Sequence, residues 1–126
     1  MGYTRKVMEH FANPKNVGEM KDAHGVGRFG NTVDGDEVVI YIKVKNDFIT
    51  DVSFKVFGCV AAIASASVFT EMIKGKRLEE AIQITKEDVS RALDGLPSEK
   101  IGCSVIAPDA LRAAVDDYLK KQGRKK

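Results

Sequence analysis

Four side chains in this 126-residue chain have the atom types that bind metals or act as nucleophiles, and each follows or precedes a change of local pattern. Asp34 and Asp36 flank a glycine immediately before the first clear strand-like run. Cys59 follows the second such run and precedes a helical pattern, and Cys103 lies between a proline-broken loop and the last helical pattern. Side chains at such junctions escape packing and can converge at one end of a sheet. We therefore predict one site containing Asp34, Asp36, Cys59 and Cys103.

The spacing of these residues leaves the chemistry open. The cysteines match no CxxC-type zinc pattern, and two aspartates on a turn match no calcium loop. An ordinary solvated Asp-Gly turn and two small buried cysteines are the plain alternatives. The predicted helix start at Cys59 favours a chemical role for this residue. A helix N-terminus stabilises thiolate, which is both a nucleophile and a soft-metal ligand.

Other candidate residues are weaker. Pro108 fits best in the first turn of a helix that begins near Ala107, which leaves Cys103 on a mobile loop. His10 lies beside the Asn13-Pro14 helix stop and is predicted to be structural. His24 lies in a glycine-bearing loop from which it could approach the site.

Two predicted strands form the sheet that would hold these residues. EVVIYIKVKND places Ile40 and Ile42 on one face, and FITDVSFKVFG alternates in the same way. Asn46-Asp47 between them predicts the turn of an antiparallel hairpin. A third strand over residues 27–32 is a weaker prediction, because glycines weaken a strand.

Helical patterns follow the strands. We predict helices over residues 3–12, 61–75, 77–83, 86–93 and 107–121, with Val7, Met8 and Phe11 sharing a face of the first. In the second, an apolar stripe is predicted at Ala62, Ala66, Phe69 and Ile73. Strands first and helices afterwards predict an α+β fold, with helices on one face of a small antiparallel sheet of about three strands. Residues 1–126 are expected to form a single domain with a basic tail over about 120–126.

Composition excludes several classes of protein. The net charge of +2 is too small to indicate nucleic-acid binding, and the five positive charges of KKQGRKK predict a solvated end. No apolar run is long enough for a membrane span, and MGYTRKVMEHF lacks the apolar stretch of a signal peptide. A cytoplasmic protein with reduced thiols is therefore expected.

Four stretches together resemble a known family. They are YTRKVMEHFANPKNVGEM, GVGRFGNTVDGD, ITDVSFKVFGCVAAIASASVFTEMIKGK and ALDGLPSEKIGCSVIAPDALRAAVDDY. The sequence resembles the IscU/NifU-type scaffold on which iron–sulfur clusters are assembled, from about Tyr3 to Tyr118. Residues 54–76 carry the most specific part of the likeness.

The resemblance implies roles for the four candidate residues. Family members carry three cysteines and an aspartate two residues after the first of them. Asp36 matches that aspartate, Cys59 the second cysteine and Cys103 the third, and Asp34 occupies the place of the first. Gly102 stands where the family usually has a histidine.

The resemblance also implies a function and partners. It implies a scaffold or carrier, not an enzyme, that takes sulfur from a cysteine desulfurase at Cys103 and passes a labile cluster, of 2Fe–2S type, to recipient apo-proteins. The ligands would be Asp34, Asp36, Cys59 and Cys103 of one subunit, or the cysteines of two subunits in a homodimer. Zinc could instead bind the same four side chains. The alternative function is a degenerate paralogue that binds zinc or regulates the desulfurase without assembling clusters.

One motif departs from the family pattern. The stretch that an Hsp70-type chaperone recognises in the family, Leu-Pro-Pro-Val-Lys, here reads Leu96, Pro97, Ser98, Glu99 and Lys100. Because Glu99 puts a charge where the family has an apolar side chain, an Hsp70 partner is not predicted.

Overall fold

The computed structural model describes residues 3–31, 35–97 and 106–121. Its sheet has three antiparallel strands in the order β1 (Gly25–Asn31), β2 (Asp36–Lys45) and β3 (Phe48–Phe57). The predicted α+β fold is confirmed. The weakly predicted third strand is present as β1, and it begins at Gly25 rather than at residue 27.

The hairpin between β2 and β3 forms as predicted. Lys45 pairs with Phe48, so Asn46 and Asp47 are the two loop residues, with φ angles of 54° and 66°. Two consecutive positive φ angles are typical of the type I′ turn, whose twist matches that of the flanking strands. Asparagine and aspartate tolerate this backbone region better than most residues.

The helices are α1 (Arg5–Ala12), α2 (Val60–Ile73), α3 (Leu78–Ala81), α4 (Lys86–Ala92) and α5 (Ile106–Lys121). The predicted capping residues of α4 form a capping box, in which the Thr85 and Asp88 side chains each accept from the other's backbone N–H. Pro108 lies in the first turn of α5 that the structure describes, and proline is tolerated in the first turn of a helix.

Helix α5 lies directly against β1, and two glycines make this approach possible. A Cβ atom at Gly25 would collide with the carbonyl oxygen of Ala114, and one at Gly27 with that of Ala110. The glycines that weakened the prediction of β1 are therefore the residues that let a helix cover it.

The core lies between the sheet and the helices. Ile40 and Ile42 of β2 and Phe54 of β3 are fully or almost fully buried on the face that α2 and α5 cover. Helix α2 buries ten residues, so the single apolar stripe predicted for it was too narrow. It is buried on most sides because α1, α4 and α5 all pack against it.

The three apolar residues predicted to share a face of α1 differ in burial. Val7 is buried, whereas Met8 and Phe11 are 44% and 37% exposed. In the part of the chain described, no helix is long and apolar enough to cross a membrane.

Candidate functional site

Asp36 and Cys59 meet at one end of the sheet, although 23 residues separate them in sequence. The backbone N–H of Cys59 donates to Asp36 Oδ1 over 3.1 Å, and the thiol sulfur lies 3.6 Å from Asp36 Oδ2. Cys59 is the N-cap residue of α2, as predicted, and its own side chain makes no capping hydrogen bond. A carboxylate from the neighbouring strand therefore sits at the positive end of this helix and touches the thiol.

Asp36 is not the solvated turn residue that its Asp-Gly context suggested. It is the first residue of β2, pairs with Asn31 of β1 and is 4% exposed. Buried carboxylates need hydrogen-bond donors, and the backbone of Cys59 supplies one. The prediction that Asp36 and Cys59 converge is supported, and the turn interpretation of Asp36 is corrected.

Gly58 is a site residue that the sequence did not single out. A Cβ atom there would lie 2.6 Å from Asp36 Oδ1 and 3.0 Å from the Ala62 side chain. Only glycine at this position lets the carboxylate reach the Cys59 N–H without a shift. The glycine between a strand and a junction cysteine was the available sequence signal.

The other two predicted site residues, Asp34 and Cys103, lie outside the residues that the structure describes. Within 3–31, 35–97 and 106–121, no group of three or more His, Cys, Asp or Glu side chains could hold a metal ion. Asp36 and Cys59 thus supply one hard oxygen donor group and one soft sulfur donor, half of the predicted ligand set.

Of the Hsp70 stretch, only Leu96 and Pro97 are described, and Leu96 packs against the core.

The two histidines do not join this site. His10 Nδ1 lies 2.7 Å from Ser67 Oγ, which also accepts the Lys15 N–H over 2.9 Å, so His10 links α1 to α2. His24 Nδ1 accepts the Val44 N–H, and β1 runs from there to the Asp36 end over a further seven residues, about 20 Å. His24 therefore does not approach Asp36 and Cys59, and the structural role predicted for His10 fits its contacts.

Residues 2–125 match the NifU-like N terminal domain family. The chain belongs to this family. The recognition of an IscU/NifU-type sequence is thereby confirmed.

Several members of the NifU-like family are close in sequence. The iron–sulfur cluster assembly scaffold protein IscU 1 of Archaeoglobus fulgidus is 55% identical over 97% of this chain and 80% of its own length. The IscU scaffold protein of Aquifex aeolicus is 49% identical over 97% of this chain and 79% of its own length. The N-terminal NifU-like protein of Brucella abortus has a crystal structure that superposes with a TM-score of 0.77 at 18% identity, covering 94% of each chain. At that identity the superposition supports the NifU-like fold alone.

Proposed function

We propose that this NifU-like protein is a scaffold on which a labile iron–sulfur cluster is assembled and from which it passes to recipient apo-proteins. The contact between Asp36 and Cys59 carries the proposal, since it places a thiol and a carboxylate together at a helix N-terminus. Relatives that are 55% and 49% identical are named as iron–sulfur cluster assembly scaffolds, which supports the same role here. The cluster is the cargo of such a protein, which needs no catalytic activity of its own.

The donor set explains why the cluster would be labile. Iron–sulfur clusters are held by soft thiolates, and a carboxylate is a harder donor that water displaces more readily. Cys59 and Asp36 supply one donor of each kind, and we expect Cys103 and Asp34 to add a second of each. Two thiolates and two carboxylates would hold a 2Fe–2S cluster less firmly than four thiolates, which suits a carrier that must release it.

Sulfur would enter at Cys103 from a pyridoxal-phosphate cysteine desulfurase. The Cys103 thiolate attacks the outer sulfur of the donor's persulfide, so that a new sulfur–sulfur bond forms on Cys103. The donor's own sulfur–sulfur bond breaks at the same time, and its cysteine leaves as a thiolate. The glycine and proline before Cys103, at 95 and 97, favour a loop that lets the donor reach it.

The second candidate function is a zinc-binding or regulatory partner of the desulfurase that assembles no cluster. One observation favours it, namely the aspartate at position 34 where the family carries a ligand cysteine. Zinc accepts oxygen and sulfur donors alike, so the same four side chains would suit it.

Anaerobic reconstitution with iron and sulfide separates the two functions. The parent protein should acquire the visible absorption of a cluster, Cys59→Ser should lose most of it, and Ser65→Ala, a buried change outside the site, should keep it. A brief reaction with desulfurase and cysteine should add sulfur to the Cys103 peptide, as read by mass spectrometry. A parent protein that binds zinc tightly but never develops the absorption would refute the scaffold function.

A further inference from the structure

Phe29 of β1 reaches solvent although it faces the helix-covered side of the sheet. Side chains alternate along a strand, so Phe29 points to the same side as Gly25 and Gly27, against which α5 packs. Its cross-strand partner on β2 is Val38, which is fully buried on that side. Both glycines are buried as well, whereas 38% of Phe29 is exposed. The aromatic ring therefore stands where the covered part of this face ends.

This position is next to the Asp36 carboxylate. Asp36 precedes Val38 by two residues on β2, so it lies on the same face and is a diagonal cross-strand neighbour of Phe29. Such neighbours lie about 7–8 Å apart, a distance that an aromatic side chain can span. Because β2 lies between β1 and β3, Phe29 flanks Asp36 on the side opposite to Cys59, which follows β3.

Helix α5 bounds the same place from above the sheet. A Cβ atom at Gly25 would meet Tyr118 of α5, and one at Gly27 would meet Ala114, four residues earlier in the helix. Two residues along a strand, about 7 Å, thus correspond to four residues along the helix, about 6 Å. One or two further steps of this kind bring Phe29 to the N-terminal turns of α5 that the structure describes. Phe29 therefore lies between Asp36 and the beginning of this helix.

An apolar side chain at this place controls how easily water reaches Asp36. The side chains around a metal site set its access to solvent. Water matters here because it displaces a carboxylate from iron more readily than it displaces a thiolate. With Cys59 on one side of the carboxylate and Phe29 on the other, the ring restricts the approach of water along β1.

We propose that the Phe29 ring shields the metal-binding carboxylate of Asp36 from water and so sets how long a bound cluster survives. The inference rests on the proposed function, which makes Asp36 a ligand of the cluster. In the step that the ring slows, a water oxygen binds iron as the iron–carboxylate bond breaks, and no electron or proton is transferred. A shield hinders entry of a metal as well as its loss, so Phe29 should affect rates more than affinity.

Zinc binding to the purified apo-protein tests the shield, because zinc would use the same ligands in either function considered above. Phe29→Ala should raise the association and dissociation rate constants of zinc several-fold each and leave the Kd nearly unchanged. Phe29→Leu keeps an apolar side chain and should retain the parent's rates. Val26→Ala should retain them too, since Val26 is similarly exposed but points to the opposite face of β1. Stopped-flow competition with a chromophoric chelator measures these rates.

Three results would overturn the inference. Phe29→Ala might bind and release zinc at the parent's rates, or Phe29→Leu might be as fast as Phe29→Ala. A higher dissociation rate and a higher Kd without faster association would show a displaced ligand rather than a lost shield. Should Phe29→Ala fail to fold, Phe29→Thr makes the same test, because threonine suits a strand but supplies little apolar bulk.

The inference and the proposed function fail in different ways. A reconstituted cluster should be lost to a chelator several-fold faster from Phe29→Ala than from the parent. If the parent acquires no cluster but the zinc rates change as expected, only the scaffold function fails. If the parent does load a cluster, and its lifetime and the zinc rates are the same in Phe29→Ala, only the shield is refuted. A parent that binds neither zinc nor a cluster would refute both.

Discussion

The carboxylate of Asp36 contacts Cys59 through both of its oxygens, one at the backbone N–H and the other at the sulfur. This pair joins the first residue of β2 to the N-cap residue of α2, whose own side chain makes no capping hydrogen bond. The thiol's position is consequently set by a residue on a different element. Substitutions that displace the Asp36 carboxylate should therefore also shift the position of the Cys59 thiol.

Gly58→Ala should displace Asp36 and loosen this pair. The added Cβ would lie 2.6 Å from Asp36 Oδ1, too close for any real contact, so the carboxylate or the start of α2 must shift. We expect a loss of unfolding free energy of about 1–2 kcal/mol and faster loss of a reconstituted cluster. Chemical unfolding and chelator competition measure the two effects.

Gly30→Ala is the matched control for that change. Its Cβ would meet the carbonyl oxygen of Asp36 at 3.3 Å, a distance that a small adjustment relieves, and it approaches no carboxylate oxygen. Equal effects of both substitutions on cluster lifetime would contradict the role given to Gly58.

Asp34→Cys should lengthen the lifetime of the cluster. A thiolate binds iron more strongly than the carboxylate it replaces, and water displaces it less easily. The decay of visible absorbance after addition of a chelator measures the lifetime, with the parent protein as reference. An unchanged lifetime in a parent that does load a cluster would show that Asp34 is not a ligand.

The parts of this protein that follow local pattern could be predicted from the sequence. Alternating apolar residues and the Asn46-Asp47 turn determine the hairpin, and Thr85 with Asp88 marks the start of α4. The buried Asp36 could not be predicted in this way, because its hydrogen-bond donor comes from a residue 23 positions further along the chain. Local sequence carries turn propensity but not such long-range contacts.

The role of two glycines in β1 could not be predicted from the sequence either. Gly25 and Gly27 lower strand propensity, and only the packing of α5 against β1 shows why these positions have no room for a side chain. Met8 and Phe11 are exposed although they belong to an apolar face in the sequence. Such a pattern does not show whether another element of the fold packs against that face.

Ser67→Ala should destabilise the fold, because it removes the hydroxyl that links α1 to α2. The Lys15 N–H and His10 Nδ1 both lie within hydrogen-bond distance of that oxygen, and a buried polar group left unpaired costs about 1–3 kcal/mol. Ser65→Ala is a close control in the same helix. Its hydroxyl is also fully buried but has no hydrogen-bond partner among residues 3–31, 35–97 and 106–121, so its removal should be neutral or slightly stabilising. Urea unfolding of both variants checks this; equal losses would contradict it.

Asp117 should make stability depend on pH. Although burial raises its pKa, the Val26 N–H and the Lys121 ammonium outweigh burial and hold the pKa below the ordinary value for aspartate. A carboxylate with a depressed pKa stabilises the fold fully above the pKa of the unfolded chain, and this contribution is lost as pH falls through the lower pKa of the folded protein.

Asp117→Asn should therefore lower the free energy of unfolding by up to about 1 kcal/mol at pH 7, with the partial exposure of Asp117 limiting the effect. The difference from the parent should shrink as pH falls below about 4, where the unfolded aspartate is protonated. Urea titrations at several pH values measure it, with Glu19→Gln, an exposed carboxylate, as control. A difference that stays constant from pH 7 to pH 3 would contradict this assignment.

In the proposed scaffold, one subunit binds the cluster through both thiolate and carboxylate donors. Mössbauer spectroscopy of the parent protein, reconstituted anaerobically with enriched iron and sulfide, distinguishes these donors. We expect iron in a cluster whose doublets show mixed sulfur and oxygen coordination, and we expect Asp34→Cys to shift them toward all-sulfur values. All-sulfur coordination in the parent, or iron bound only as isolated high-spin ions, would contradict it.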